Sequence, residues 1–489
     1  MNIFLLTPVL APLAAAVFAA VLGWRRLSAF VTVLAALSVL VSAAGLGFNV
    51  GSGELFSVGH LLRADALTVT MLIVIGTVGT LATWASVGYI NAELVHGHTD
   101  HNGANLYGVL VPIFLSAMSL AVLANNIGVM WVAIEATTVA TAFLVGHRRT
   151  RAALEATWKY VIICSVGIAL AFLGTVLLYF ASLHAGASSA NALDIDVLLA
   201  HASTLDPAVT HLAAGLLLLG YGAKAGLVPF HTWLADAHSQ SPAPVSALMS
   251  GVLLSVAFSA LLRVKSVVDL ALGTGFLRAG LLIVGLLTLL IAASMLVVQT
   301  DFKRMLAYSS MENMGLVAVA AAAGTRLAIA ALLLHVLAHG IGKTLVFLAS
   351  GQLQAAHDST AIGAVTGVLA RSRLVGGAFA VGLAVLLGLP PFAMFASELS
   401  ISRALANAHL EWALGAALLF VAIAFAALVR NGSRILLGPA DPGAPAITAP
   451  RSVAGALVIG VILSVILGLT AGPLTELFHT AATMIGATP

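Results

Sequence analysis

Long apolar runs, each close to the length of a membrane-spanning helix, alternate with short polar connectors from one end of the chain to the other. A spanning helix needs about 20 apolar residues. Runs of that kind predict helices at about 2–23, 27–48, 66–90, 107–123, 126–146, 157–182, 208–230, 243–263, 276–298, 305–323, 327–353, 374–397, 410–430 and 452–478. The stretch from Tyr107 to Gly146 is about twice the bilayer thickness, so it divides at Ala124-Asn125-Asn126. The pattern predicts an all-α integral membrane protein with about fourteen transmembrane helices.

Two of these runs carry matching interruptions. Gly226-Leu227-Val228-Pro229-Phe230 falls in the seventh and Gly388-Leu389-Pro390-Pro391-Phe392 in the twelfth. Proline removes a backbone donor, and unsatisfied backbone at membrane depth is tolerated only beside a polar cavity or packed protein. Broken helices five spans apart would face opposite ways, which points to an inverted repeat. The expected organisation is a three-helix segment over 1–106, a first repeat over 107–265 (helices 4–8), a second over 266–431 (helices 9–13) and a C-terminal helix in 432–489.

Composition agrees. The chain is 61% hydrophobic and 8% charged, whereas a soluble domain has about 25% charged residues. The segment from Ile3 to Gly23 lacks a basic leader and runs into Arg25-Arg26, so it reads as a retained helix and not a cleaved signal peptide. The isoelectric point near 9.2 reflects bases that follow membrane topology, and no nucleic-acid partner is expected. Loops predicted on one side hold Arg25, Arg26, Arg148, Arg149, Arg151, Lys303, Arg304, Arg371, Arg373, Arg430, Arg434 and Arg451. Those on the other hold Arg63, Arg263, Lys265, Arg278, Arg326 and Arg403. That bias predicts both termini on the periplasmic side of a bacterial or archaeal cytoplasmic membrane. A single cysteine, Cys164, excludes an iron–sulfur cluster, which needs about four thiolates. No cofactor, metal centre or covalent catalysis is expected, although ligation of a haem or metal by histidine alone stays open.

Glu135, Lys159, Lys224, Lys343 and Glu398 stand inside predicted spans. A charge there costs roughly 2.5–3.5 kcal/mol on insertion scales, so it marks an ion path, a proton relay or a structural pair. Glu135 and Lys224, acid and base facing each other in low dielectric, would form a switchable proton site; a structural ion pair locking two helices is the alternative. His335, His339 and Lys343 are spaced i, i+4, i+8 and stack on one helix face, where imidazoles can pass protons. Interhelical hydrogen bonding is the plainer role for the same histidines. Glu398 reads equally as a buried relay terminus or an interfacial charge. Lys159 follows Glu155 by four residues, the spacing of a local ion pair. The loop His231-Thr232-Trp233-Leu234-Ala235-Asp236-Ala237-His238 carries two histidines and a carboxylate that either funnel protons or meet a partner subunit. His96-Gly97-His98-Thr99-Asp100-His101 reads as a solvated loop, with a weak metal site as the alternative.

Several of these segments together resemble the antiporter-like subunits of respiratory complex I, multi-subunit cation/proton antiporters and membrane-bound hydrogenases. The resemblance rests on Tyr221 to Ser239, Asp65-Ala66-Leu67-Thr68, Thr300 to Ser310 and the run from His335 to Lys343. Ile134 to Thr138, Leu154 to Gly167 and Tyr308 to Gly315 are similar to the hydrogenase-4 branch, of formate hydrogenlyase type. The resemblance implies Glu135 and Lys224 as the modulating pair, His335, His339 and Lys343 as the central axis, and Glu398 as the outlet. It also implies partners: other membrane subunits, surrounding membrane lipid, and a hydrogenase or a quinone- or NADH-oxidising arm with iron–sulfur proteins. One departure stands out. Relatives place a lysine or histidine in the eighth helix where this chain has Ser250 and Ser255, and a hydroxyl does not store a proton near neutral pH. No long lateral helix is expected after the fourteenth span. The expected function is proton translocation within a redox-driven complex; a sodium/proton antiporter subunit and a passive membrane anchor of a hydrogenase are the alternatives.

Overall fold

The computed structural model describes residues 2–439, 446–470 and 472–487. Residue 1 of the first predicted helix, residue 471 of the last, and 440–445 and 488–489 of the C-terminal segment therefore lie outside the described residues. Helices α1 (Asn2–Leu22) and α2 (Arg26–Gly47) lead into a two-stranded antiparallel hairpin, β1 (Leu55–Ser57) and β2 (Leu62–Ala64), in which Phe56 faces Arg63. There follow α3 (Ala66–Val95), α4 (His101–Leu123), α5 (Ile127–Val145), α6 (Arg151–His184), a short α7 (Ile195–His201), α8 (Pro207–Lys224), α9 (Trp233–Gln240) and α10 (Ala243–Leu248). A π-helical turn, Met249–Leu253, joins α10 to α11 (Leu254–Leu272). Beyond it lie α12 (Gly275–Val298), α13 (Phe302–Ala323), α14 (Arg326–His357), a short α15 (Val368–Arg371), α16 (Arg373–Leu386), α17 (Ala393–Asn407), α18 (Glu411–Leu437), α19 (Arg451–Leu469) and α20 (Gly472–Met484).

The helices start where side chains can take up their free N–H groups. Asp65, Asp100, Asn126, Thr150 and Asp301 accept from the first turns of α3, α4, α5, α6 and α13. The predicted division at Ala124–Asn126 is the junction of α4 and α5, held by Asn125 on Asp196 (2.9 Å) and Asn126 on Asp194 (2.7 Å).

Eleven helical segments among the described residues are long and apolar enough to cross a membrane, with α10, the π turn and α11 forming one of them. The other predicted spans fall on α8 and the turn after it, α13 and α16–α17, where Lys224, the cluster Lys303, Arg304 and Glu312, and the second break dilute or interrupt the apolar run. A helix that is apolar all round belongs in a protein interior. The α10–α11 segment, α13 and α14 are buried on nearly every side, the last two with charged or imidazole side chains among their apolar ones, while α1, α6, α18 and α19 expose Val21, Trp158, Trp412 and Leu469 to their surroundings. Gly251 in the π turn and Gly340 in α14 meet backbone to backbone, and a Cβ built on either would stand 3.0 Å from the other's carbonyl oxygen.

Both predicted interruptions are present, and in each the chain turns through a left-handed glycine, Gly226 (φ +78°) and Gly388 (φ +59°). The backbone freed at the first is re-satisfied from side chains: Val228 N–H donates to Thr288 of α12 (3.0 Å), and the Trp233 indole donates to the Ala223 carbonyl (3.0 Å). At the second, α19 approaches so closely that a Cβ on Gly468 would collide with the Pro391 carbonyl.

Three expectations are corrected. Arg263 and Lys265 are not loop residues: both are buried in α11, against Asp65 and Asp269. Periodicity does not separate a helix end that binds its charges internally from a loop that gives them to water. The segment beginning at His231 is mostly helical, Trp233–Gln240, and His238 is buried. The last predicted span is two helices, α19 ending at Leu469 and α20 starting at Gly472, because Gly472-Pro473 favours a restart over continuation.

Candidate functional site

Lys224 is the last residue of α8 and fully buried. A helix that stops mid-bundle leaves carbonyl dipoles unpaired at its C-terminus, and a cation is favourable there. Its Nζ donates to Tyr160 Oη (2.6 Å) and Thr138 Oγ1 (2.9 Å), and lies 4.8 Å from the Tyr160 ring centre. Tyr160 Oη also meets the Thr141 hydroxyl. Glu135, on the same helix as Thr138, is partly buried and its Oε2 has no partner in the protein. No direct ion pair joins Glu135 to Lys224 among the described residues, which corrects the expected acid–base contact. The reason is geometric: Thr138 lies one turn beyond Glu135, and its hydroxyl and the phenol take two of the ammonium's three donor positions.

Lys343 in α14 donates to the Leu306 carbonyl (2.8 Å) and Ser309 Oγ (2.5 Å) of α13. Two turns earlier, His335 places Nε2 on Asn313 Oδ1 (2.9 Å) and Nδ1 on Ser397 Oγ (3.0 Å). Asn313 uses its amide nitrogen on the Ser309 carbonyl (2.6 Å), so its oxygen faces the ring and Nε2 is the donor. His339 lies between them, buried, with Nε2 unpartnered by the protein. One connected set thus runs Lys343, Ser309, Asn313, His335, Ser397. It passes from α14 to α13, back to α14 at His335, and on to α17.

Glu398, six residues past the second break, shares a cavity of ≈ 10 Å³ with Glu312 of α13, closed by Leu386, Leu387, Val421, Phe425 and Leu428. That is about the volume one water centre needs. The Glu398 carboxylate occupies the space a side chain on Gly388 would take. Gly388→Ala is therefore expected to cost about 1–2 kcal/mol from the left-handed backbone alone and to displace Glu398 besides. A thermal melt in detergent checks it, and a variant that melts with the wild type contradicts it.

The remaining sequence candidates divide. Lys159 is exposed and binds Glu155 (2.6 Å) and Asp236 (3.1 Å), and Asp236 also meets Arg304 of α13. These residues line an open cavity of ≈ 350 Å³. His231 is partly exposed with Nδ1 unpartnered in the protein. His238 stacks on Phe347 of α14 (ring centres 5.3 Å apart), with both ring nitrogens lacking protein partners. Ser255 Oγ is buried and unpartnered, whereas Ser250 bonds Ser310 of α13 (2.7 Å).

Sequence reasoning missed Glu312, Thr138, Tyr160 and Asn313. It also missed Lys303, buried and bonded to the Ser241 carbonyl (2.8 Å), and the Asp65–Arg263 pair. Glu312 had a signal, since it lies inside the predicted span 305–323 and is a carboxylate.

Cations, imidazoles and carboxylates carried by the two interrupted helices and by α13 and α14 define a multi-pass helical membrane protein built around a polar interior. The family described as NADH:quinone oxidoreductase/Mrp antiporter, transmembrane region, matches residues 124–425, and the chain belongs to it. It is 37% identical over 355 residues to a hydrogenase-4 component F homolog of Methylacidiphilum infernorum, covering 72% of this chain and 74% of that protein. A chain of the Mrp complex from Dietzia sp. superposes with a TM-score of 0.87 at 21% identity, covering 99% of this chain and 97% of that one. A chain of respiratory complex I from Thermus thermophilus gives 0.76 at 25% identity, covering 97% and 98%.

Proposed function

We propose that this chain is a proton-translocating membrane subunit of a redox-driven complex of the hydrogenase-4 type, working beside other membrane subunits and a peripheral arm that carries iron–sulfur proteins. The observation that carries the reading is the placement of buried Lys224 at the first broken helix and of buried His335 and Glu312 and half-buried Glu398 at the second, with buried Lys343 on the helix that carries His335. Isolated charges in hydrocarbon are too costly to persist without a task or a partner. The similarity to a hydrogenase-4 component F homolog favours the hydrogenase arm over an NADH-oxidising one.

In this reading α8 with the turn after it, α13 and α16–α17 also cross, giving fourteen spans, with residues 107–265 and 266–431 as inverted repeats and both termini on the periplasmic face of a cytoplasmic membrane. Protons reach Lys224 past the Asp236 cluster and His231. Glu135 modulates Lys224 through space and through Thr138 and Tyr160, without touching it. Between the halves, the unpartnered nitrogens of His238 and His339 and the Ser255 hydroxyl hold ordered water, which stands in for the titratable side chain absent from the eighth span. Lys343, His335 and the Glu312–Glu398 pair carry the proton to the outlet.

A passive anchor is the second reading, favoured by Ser250, which is already committed to Ser310 and leaves the middle of α10–α11 without a titratable group. Purifying the tagged chain in mild detergent and identifying its companions tests the partner assignment. Nickel–iron hydrogenase and iron–sulfur subunits support it, and small membrane subunits without redox proteins move it to a cation/proton antiporter. Glu312→Gln tests the outlet, because an amide keeps the size and cannot store the proton. Transport is expected to fall roughly tenfold or more with assembly retained. Wild-type transport by that variant in vesicles removes Glu312 from the path.

A further inference from the structure

Where α12 and α18 end, a cavity of ≈ 580 Å³ opens between Val298, Thr300, Gly363, Arg430, Asn431 and Arg434. Arg430 and Arg434 lie one turn apart on α18 and so share a face. Arg430 donates one bond to the Val297 carbonyl (2.7 Å), which leaves most of its five N–H groups uncommitted. The Arg434 guanidinium reaches to 3.7 Å from where a Cβ on Gly363 would stand. No carboxylate pairs with either arginine among the described residues. Between them Asn431 is 6% exposed, and its Nδ2 has no partner in the protein. Two exposed arginines and a buried, unused amide donor line one cavity.

We infer that this cavity binds the phosphate of an anionic phospholipid, held between Arg430 and Arg434 with Asn431 Nδ2 as a third donor. The lining supplies donors and positive charge, which suits an anion with several acceptor oxygens in three dimensions; guanidinium forks match phosphate in this way. The position selects a lipid over a free ion. Val298 (65% exposed) stands at the cavity, and Ile283, Leu290 and Leu437 continue an exposed apolar surface along α12 and α18. An anion carrying hydrocarbon satisfies both surfaces, and basic pockets between spanning helices on the base-rich side are where such headgroups bind. None of these residues belongs to the polar axis, so the site stands apart from the transport reading.

The test uses the full chain in mild detergent, stripped of lipid, then titrated with phosphatidylglycerol, phosphatidylcholine or inorganic phosphate, with bound lipid counted by native mass spectrometry. One phosphatidylglycerol per chain is expected, with R430Q and R434Q each weakening binding about tenfold, the loss of one charge-assisted bond. Melting in lipid-free detergent reports whether each variant is folded. If either arginine variant fails to fold, N431D keeps both guanidinium groups and sets a carboxylate against the phosphate, and it must also weaken binding. Wild-type affinity in N431D, equal affinity for phosphatidylcholine, or inorganic phosphate that binds as tightly and displaces the lipid would each overturn the assignment.

Discussion

Lys224→Ala is expected to abolish coupled proton transport while leaving the assembled complex intact. Lys224 is the buried cation that ends the helix at the first break, and two of its three donor positions are taken by Thr138 and Tyr160. Without it, α8 loses its side-chain bonds to Thr138 of α5 and Tyr160 of α6, but the phenol keeps its bond to the Thr141 hydroxyl, which still ties α6 to α5. The proton path loses its one group at that point able to alternate between charged and neutral forms, because Tyr and Thr hydroxyls stay protonated near neutral pH. Dye-reported acidification of inverted vesicles on adding the electron donor, alongside a native gel of the complex, separates the two effects. Intact assembly with unchanged acidification would sink the relay; loss of both would show that Lys224 is structural.

Asp65→Asn is expected to have the largest effect on folding. Asp65 is fully buried, bonds Arg263 twice (one contact at 2.7 Å), reaches Arg63 at 3.2 Å, and caps α3 through Thr68 N–H (2.9 Å). Removing one partner of a buried pair typically costs about 3–5 kcal/mol, because the other charge is left uncompensated. Here Arg263 is left without a carboxylate, while Arg63 keeps Glu54 (2.6 Å). Recovery of monodisperse protein and its melting temperature should both drop. Replacing Asp65 and Arg263 together by leucine should cost less than the sum of the single changes, the mark of direct coupling. Wild-type melting in Asp65→Asn would refute the account.

The same site fixes a pH dependence. Burial by itself would raise the Asp65 pKa, but Arg263, Arg63 and the Thr68 N–H outweigh it and hold the carboxyl well below its usual range. With the folded value below the unfolded one, the stabilisation is complete above about pH 4 and fades as pH falls toward the folded value. Stability measured from neutral pH down to about pH 4 should therefore show no loss from this pair; an earlier fall in the wild type that is absent in Asp65→Asn would contradict it.

The spans and both breaks were legible because hydropathy and proline act locally. A run of twenty apolar residues or a Gly-Pro interruption says the same thing wherever it occurs. The intramembrane charges Lys224, Lys343 and Glu398 were legible for the same reason. Their partners were not. Tyr160 is 64 positions from Lys224 and Thr138 is 86, and no periodicity links helices that far apart. Glu135 and Lys224 were matched by charge, yet the helix register sets Thr138 and Tyr160 on the ammonium instead. Arg263 was assigned to solvent because it sits near a helix end, and only the three-dimensional position of Asp65 shows otherwise. Glu312 was the avoidable miss, since the rule that singled out Glu398 applies to it equally.

The glycine contact between the π turn and α14 has a mechanical consequence. At Gly251 and Gly340 backbone rests on backbone, so at that point no side chain of either cushions the helix that carries Ser250 and Ser255 against the one that carries His335, His339 and Lys343. A tilt of either is passed to the other without slack. The joint behaves as a bearing, and a single added methyl group on either face would act as a shim that jams it.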